Sequence, residues 1–152
     1  MREWHKLTSL LVHIIFSTRN REPLIPPADE PALFAYLGGI VRNHGCALMA
    51  ANGTADHVHL LISMSKSVAL ADLLLAIKRD TSRWLHERSA DNANFSWQGG
   101  YAAFSIGASQ QAAACAYIAK QKAHHQKVSF QDELQAFLRT YQVAFDEKYI
   151  WQ

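Results

Sequence analysis

Apolar positions follow two rhythms along this chain. Leu7–Thr18 (LTSLLVHIIFST) is apolar or β-branched at nearly every position, which predicts a strand buried on both faces and central in a sheet. Thr18 to Pro23 is a polar loop that Pro26-Pro27 extends. A helix is predicted from about Asp29, as N-cap, to His44, with Gly45 ending it. Cys46–Ala51 reads as a short strand, Asn52-Gly53 as a hairpin turn and His57–Met64 (HVHLLISM) as the returning strand. From Val68 to about Arg88 the period becomes helical. Leu70, Leu73, Leu74, Ile77, Trp84 and Leu85 share one side, and Arg79 and Arg83 take the other. Ser89–Gly100 reads as a polar loop holding Phe95 and Trp97, and Tyr101–Ile106 as a fourth strand. Ser109 to about Lys127 reads as an alanine-rich helix, Phe130–Tyr141 as another, and Phe145–Trp151 as an aromatic tail.

The order β-α-β-β-α-β, followed by a further helix, predicts an α+β fold of the ferredoxin-like (RRM-like) kind. Right-handed crossovers place the first and third strands at the centre of an antiparallel sheet. Helices then cover one face and leave the other open to bind something. RNA-recognition modules use that face through aromatics on the central strands, whereas here those strands carry histidines. A length of 152 residues suits one domain. Residues 1–127 are expected to form it, and residues 128–152 to be an extension packed on it through Phe130, Phe137, Tyr141, Phe145, Tyr149 and Trp151.

Composition narrows the class. With 49% hydrophobic and 18% charged residues, the chain is neither disordered, collagen-like nor a coiled coil. No apolar run reaches the roughly 18–20 residues of a membrane helix, and residues 1–6 lead into no secretory cleavage site. A cytoplasmic protein is expected, with Cys46 and Cys115 as buried free thiols. The net charge of +2 is unevenly spread. Residues 1–65 sum to zero, 66–127 to +4 and 128–152 to −2, and no acid occurs from Asn92 to Gln131. That stretch is either a docking face for an anion or a solvated basic surface.

Chemistry concentrates in two places. In His57-Val58-His59, strand alternation turns both imidazoles to one face. They are either a pair that shares a divalent metal or histidines without a ligand. Asp56 is either a hydrogen-bond partner for a histidine or a turn residue. On the alanine-rich helix, Gln110, Tyr117, Gln121 and His124 form one stripe, flanked by Lys120 and Lys122. The stripe is either a functional face or an exposed helix with a half-buried tyrosine. A tyrosine is a possible covalent nucleophile, and a metal that also binds a phosphate oxygen would help it. Two strand histidines with the Gln121 carbonyl then make a three-ligand site one turn from Tyr117. Tyr101, Tyr141 and Tyr149 lack a glutamine four residues on.

In these residues the chain resembles the single-tyrosine HUH transposases of the insertion-sequence-200-like family. Asp56-His57-Val58-His59-Leu60-Leu61 looks like the HUH motif, and Tyr117-Ile118-Ala119-Lys120-Gln121 like the YxxxQ helix motif. Ile14–Pro23, Lys78–Trp84 and Trp97–Ser105 are similar segments, and the likeness covers about residues 7–126. The resemblance implies single-stranded DNA hairpins as substrate and a Mg or Mn ion. It implies His57, His59 and Gln121 as metal ligands and Tyr117 as the nucleophile that forms a 5′-phosphotyrosine. It also implies a homodimer whose tyrosine helix can complete the partner's site. Arg79, Arg83, Lys120 and Lys122 are the expected contacts to the DNA backbone. His124-His125 either touch DNA or an additional metal or lie at the surface, and the surface is the expectation. The alternative is a domesticated relative that binds hairpins without moving DNA.

Overall fold

The strand without a polar rhythm becomes a central one. In the computed structural model, which describes residues 7–146, β1 (Leu11–Ser17) pairs antiparallel with both β3 (His57–Ser63) and β4 (Ala102–Ile106). β2 (Ala47–Gly53) lies outside β3, so the sheet order is β2-β3-β1-β4. This is the ferredoxin-like order expected. The two crossover helices, α1 (Glu30–Asn43) and α2 (Leu70–Arg88), pack on one face. There Ile14, Phe16, Val58, Leu60 and Ile62 of the strands meet Leu33, Leu37, Leu73 and Ile77, all essentially inaccessible to water. Each such side chain contributes roughly 1.5–3 kcal/mol by leaving water.

The other face, expected to be open, is closed. α3 (Gln111–Ala119), α4 (Gln121–His124) and α5 (Phe130–Thr140) lie over it. Ile118 of α3 is buried against Leu11, Leu61 and Ile106. Phe130 and Leu138 of α5 are buried with Ile15 and Phe104, and the Phe137 and Tyr141 rings stack on Phe104 with centroids 5.5 and 4.7 Å away. The aromatics of residues 130–145 thus cover the apolar end of this face. Tyr149 and Trp151 lie outside the described residues.

Local chemistry moves several predicted boundaries. The alanine-rich helix breaks at Lys120 (φ −99°, ψ 14°). The Asn52 side-chain amide donates to the Ile118 and Ala119 carbonyls at 3.0 and 3.2 Å, satisfying acceptors that a helix end leaves orphaned. Asn52-Gly53 is not the hairpin turn, because both residues stay in β2 and Gly53 pairs with Val58. The turn is residues 54–56. Gly53 is required by a close approach, since a Cβ there would stand 2.2 Å from the His57 carbonyl oxygen. Asp29 makes no side-chain cap; its carboxylate accepts from Arg88 Nε at 2.9 Å. Gly45 takes φ +76° at the end of α1, as its position predicts. Cys46 is buried, Cys115 only partly so, and both are free. Among the described residues no helix is long and apolar enough to cross a membrane.

Candidate active site

Alternation along β3 sends Val58 into the α1/α2 core and turns His57 and His59 to the opposite face, where α3–α5 bury both. Each ring is held from behind. His57 donates its Nδ1–H to Asp56 Oδ1 at 2.7 Å, and Thr54 Oγ1 donates to the same oxygen at 2.7 Å. Asp56 is both things that were open for it, a turn residue and a histidine partner. Its carbonyl accepts from the Thr18 amide at 2.8 Å, which ties the turn to the end of β1. His59 Nδ1 stands 2.8 Å from His13 Nε2. His13 on β1 was missed, although it lies at even spacing from Leu11 and Ile15 on the same face.

The helices supply the other half. Tyr117 donates its hydroxyl proton to Glu133 Oε2, and His124 Nε2 lies 3.2 Å from the same hydroxyl. Gln121, fully buried, donates from Nε2 to Glu133 Oε2 at 3.1 Å and holds Oε1 3.3 Å from His57 Nε2. His59 Nε2 donates to Glu133 Oε1 at 2.8 Å. His125 donates Nδ1–H to the Val128 carbonyl at 2.8 Å and turns Nε2 to within 3.0 Å of both His57 Nε2 and Glu133 Oε1.

Two sequence expectations therefore change. His125 is not a surface histidine: its side chain is 9% exposed and faces the cluster, while His124, 28% exposed, packs on Tyr117. Glu133, in the stretch 128–152 of net charge −2, was not singled out. The available signal was its place three residues after Phe130 and four before Phe137, a charge on the apolar stripe of an amphipathic helix.

The electrostatics are those of a site at rest. Burial would push the Glu133 carboxyl up, but hydrogen bonds from His59, Tyr117 and Gln121 outweigh it and hold it far below the usual range, hence ionised. Burial and that same carboxylate push the Tyr117 hydroxyl well above its ordinary value, so it stays a phenol. Burial lowers His59 despite Glu133 beside it. Burial, with His59 adding to it, lowers His13 to about 3. Both rings are neutral at physiological pH. Burial opposes ionisation of Asp56 too, and the bonds from His57 and Thr54 override it and lower its value.

This donor set suits a metal ion. His57, His59, His125 and Glu133 each offer one donor atom, and these atoms lie within 4.8 Å of one another. Ligands around 2.0–2.2 Å from one ion stand at most about 4.4 Å apart, so a small inward shift would complete a shell. The Gln121 carbonyl borders the same space.

The expected DNA-contact residues are scattered. Lys122 flanks the site, and its Nζ donates to Asn52 Oδ1, Glu30 Oε1 and the Gly53 carbonyl at 2.8–3.2 Å. Lys120 is exposed at the helix break. Arg79 and Arg83 lie on α2, across the sheet from the histidines, and both meet Asp80. The Trp97–Ser105 segment buttresses β1: the Gln98 amide donates to the Ser17 carbonyl at 2.9 Å, and Trp97 Nε1 to Thr81 Oγ1 at 3.0 Å.

Solved structures share this architecture. A protein from Deinococcus radiodurans R1 described as a candidate transposase is 21% identical, with TM-score 0.60, over 80% of this chain and 97% of its own. A REP-associated tyrosine transposase bound to a REP hairpin is 15% identical, with TM-score 0.62, over 96% of this chain and 93% of its own. At these identities the likeness speaks to the fold. No curated protein matches the sequence. Residues 6–121, which hold both histidines, Tyr117 and Gln121, match the family described as "Transposase IS200 like". The chain belongs to the IS200-like transposase family.

Proposed function

We propose that this protein cleaves and rejoins single-stranded DNA at hairpin-flanked ends, with Tyr117 as nucleophile and a divalent ion, Mg2+ or Mn2+, at His57, His59 and Gln121. The observation that carries this reading is the convergence of Tyr117, Gln121 and the two strand histidines at one buried cluster within one chain. Tyr117 Oη bonds to phosphorus and its proton passes to Glu133 Oε2, the acceptor it already faces. The bond from phosphorus to the 3′ oxygen breaks and that oxygen takes up the proton from Glu133, giving a 5′-phosphotyrosine and a free 3′-hydroxyl. Attack by a 3′-hydroxyl on the phosphotyrosine reverses these changes, so rejoining needs no outside energy. A divalent ion held by His57, His59 and Gln121 would supply positive charge to offset that of the phosphate and help align it for attack. Asp56 keeps His57 oriented and His13 does the same for His59. Lys120 and Lys122 contact the DNA backbone beside the site, and Arg79 and Arg83 take a more distant stretch. The resemblance carries a homodimer, and the contact of Tyr117 with its own chain's cluster supports a site complete in each subunit.

The test is covalent trapping. Labelled single-stranded DNA from the flanks of the protein's own gene is incubated with Mn2+ or Mg2+ and run on a denaturing gel. A shifted band is expected from the wild type and none from Tyr117→Phe, His57→Ala/His59→Ala or chelator-treated protein. Mixing Tyr117→Phe with His57→Ala should restore no band. A band that persists in Tyr117→Phe removes this tyrosine from the mechanism. The hairpin-binding alternative draws support from the phenol locked against Glu133; tight hairpin binding with no band in any metal would favour it.

A further inference from the structure

We propose that His125 and Glu133 are ligands of the same ion as His57 and His59, and that this nitrogen-rich set selects a transition-metal dication over Mg2+. The inference rests on the metal-dependent reading above and deepens it. Neither residue falls within the part of the chain that matches the family, which ends at Gln121.

Counting protons carries the argument. His57 commits its Nδ1–H to Asp56, so in the neutral ring Nε2 is a bare lone pair. His125 commits its Nδ1–H to the Val128 carbonyl, which only accepts, so its Nε2 is a lone pair as well. These two lone pairs face each other across 3.0 Å. Gln121 Oε1 faces the first at 3.3 Å, and Glu133 Oε1 faces the second at 3.0 Å. Three acceptors, His57 Nε2, His125 Nε2 and Gln121 Oε1, thus crowd one buried space with no hydrogen between them, and the Glu133 carboxylate beside them takes its proton bond from His59, not from His125. Such a cluster is costly unless a cation stands at its centre.

The outward bonds of His57 and His125 match what a metal-bound imidazole needs, the other N–H given to a carboxylate or a backbone carbonyl, and His59 joins them with its proton moved to Nδ1, which faces His13 Nε2 at 2.8 Å. Gln121 then gains a positioning role, because its amide donates to Glu133 Oε2 and leaves Oε1 directed at the histidines. Three imidazoles and one carboxylate suit Zn2+, Co2+ or Mn2+, whereas Mg2+ prefers an all-oxygen octahedron that keeps its water.

The experiment is calorimetric titration of chelator-stripped full-length protein with Mg2+, Mn2+, Co2+ and Zn2+, with the visible absorption of Co2+ as a second readout. Expected results are clearly tighter binding of the transition metals than of Mg2+ and a Co2+ band that changes in His125→Ala and Glu133→Gln. Each variant should weaken binding by at least about tenfold. If both stay within about twofold of wild type while His57→Ala/His59→Ala loses binding, the proposal fails and the motif-based site survives. If wild type binds no dication, or the double variant binds as wild type does, the metal-dependent reading fails with it. A metal-free protein that carries a stable imidazolium at His125 by NMR and takes up no ion identifies a proton as the occupant, which also overturns the proposal. Should Glu133→Gln not fold, His125→Ala, at the edge of the cluster, decides alone.

Discussion

The two faces of the central sheet are built from the same strands and do opposite work. Val58, Leu60 and Ile62 of β3 point into the layer with α1 and α2, where they join a cluster of buried apolar side chains. His57 and His59 point the other way, into a layer where Glu133, Gln121, Tyr117 and His125 meet them. The first face holds the fold through non-directional burial, which tolerates exchange between apolar residues of similar size. The second is a hydrogen-bonded network in which each proton has a place, and the loss of one partner strands another. One strand thus joins an apolar layer to a polar one, so the packing of Val58, Leu60 and Ile62 holds the backbone that carries the histidines.

Deleting one side chain from each face should separate the two roles most clearly. Leu60→Ala should cost about 2–5 kcal/mol in urea unfolding, from lost transfer energy and the cavity left behind. His57→Ala in metal-free protein should cost far less, because it removes one of two facing lone pairs. Equal losses would mean that the polar face also carries the fold. Gly53→Ala comes next, at about 1–3 kcal/mol, since the new Cβ must displace the His57 carbonyl at 2.2 Å. Its metal affinity should fall as well, because the shift passes straight to the His57 ring; an unchanged affinity would uncouple the turn from the site.

The smallest effect expected is a pH dependence. His13 and His59 are held neutral by burial, His13 down to about 3, whereas the unfolded chain protonates both near 6.5. Lowered folded values mean that the unfolded state takes up more protons, so stability is full above that value and falls as the pH falls. Between pH 7 and 6 the loss should be on the order of 1 kcal/mol. Glu133 and Asp56, also lowered, add a second decline only below their ordinary values of 4.5 and 3.8. Thermal melts across pH 7 to 5 would show it, and His13→Leu should flatten the first decline. A flat profile in the wild type would contradict neutral, buried histidines.

Much of this was legible without coordinates. The apolar run of β1 marked a central strand, the helical period of 68–88 marked α2, and HVH alternation turned two imidazoles to one face. Tyr117 and Gln121 stood out as polar residues on an alanine helix. Less visible were features that depend on a distant neighbour. The break at Lys120 follows from the Asn52 amide, 66 and 67 residues upstream of the carbonyls it caps. Asn52-Gly53 resembles a turn, yet pairing with β3 overrides that local preference.

Which residues share a side could be read from the order of amino acids alone, because strand and helix periods are local properties of the backbone. That order therefore separated an apolar face from a histidine face and named two halves of a site. What fills the space between them follows from contacts between distant segments. Glu133 reaches His59 from 74 residues away, His125 turns inward, and α5 covers the face that local pattern left open. A charge on an apolar stripe has no meaning until its partners are known. The energy of a buried carboxylate is set by the donors around it, and His59, Tyr117 and Gln121 belong to three different elements.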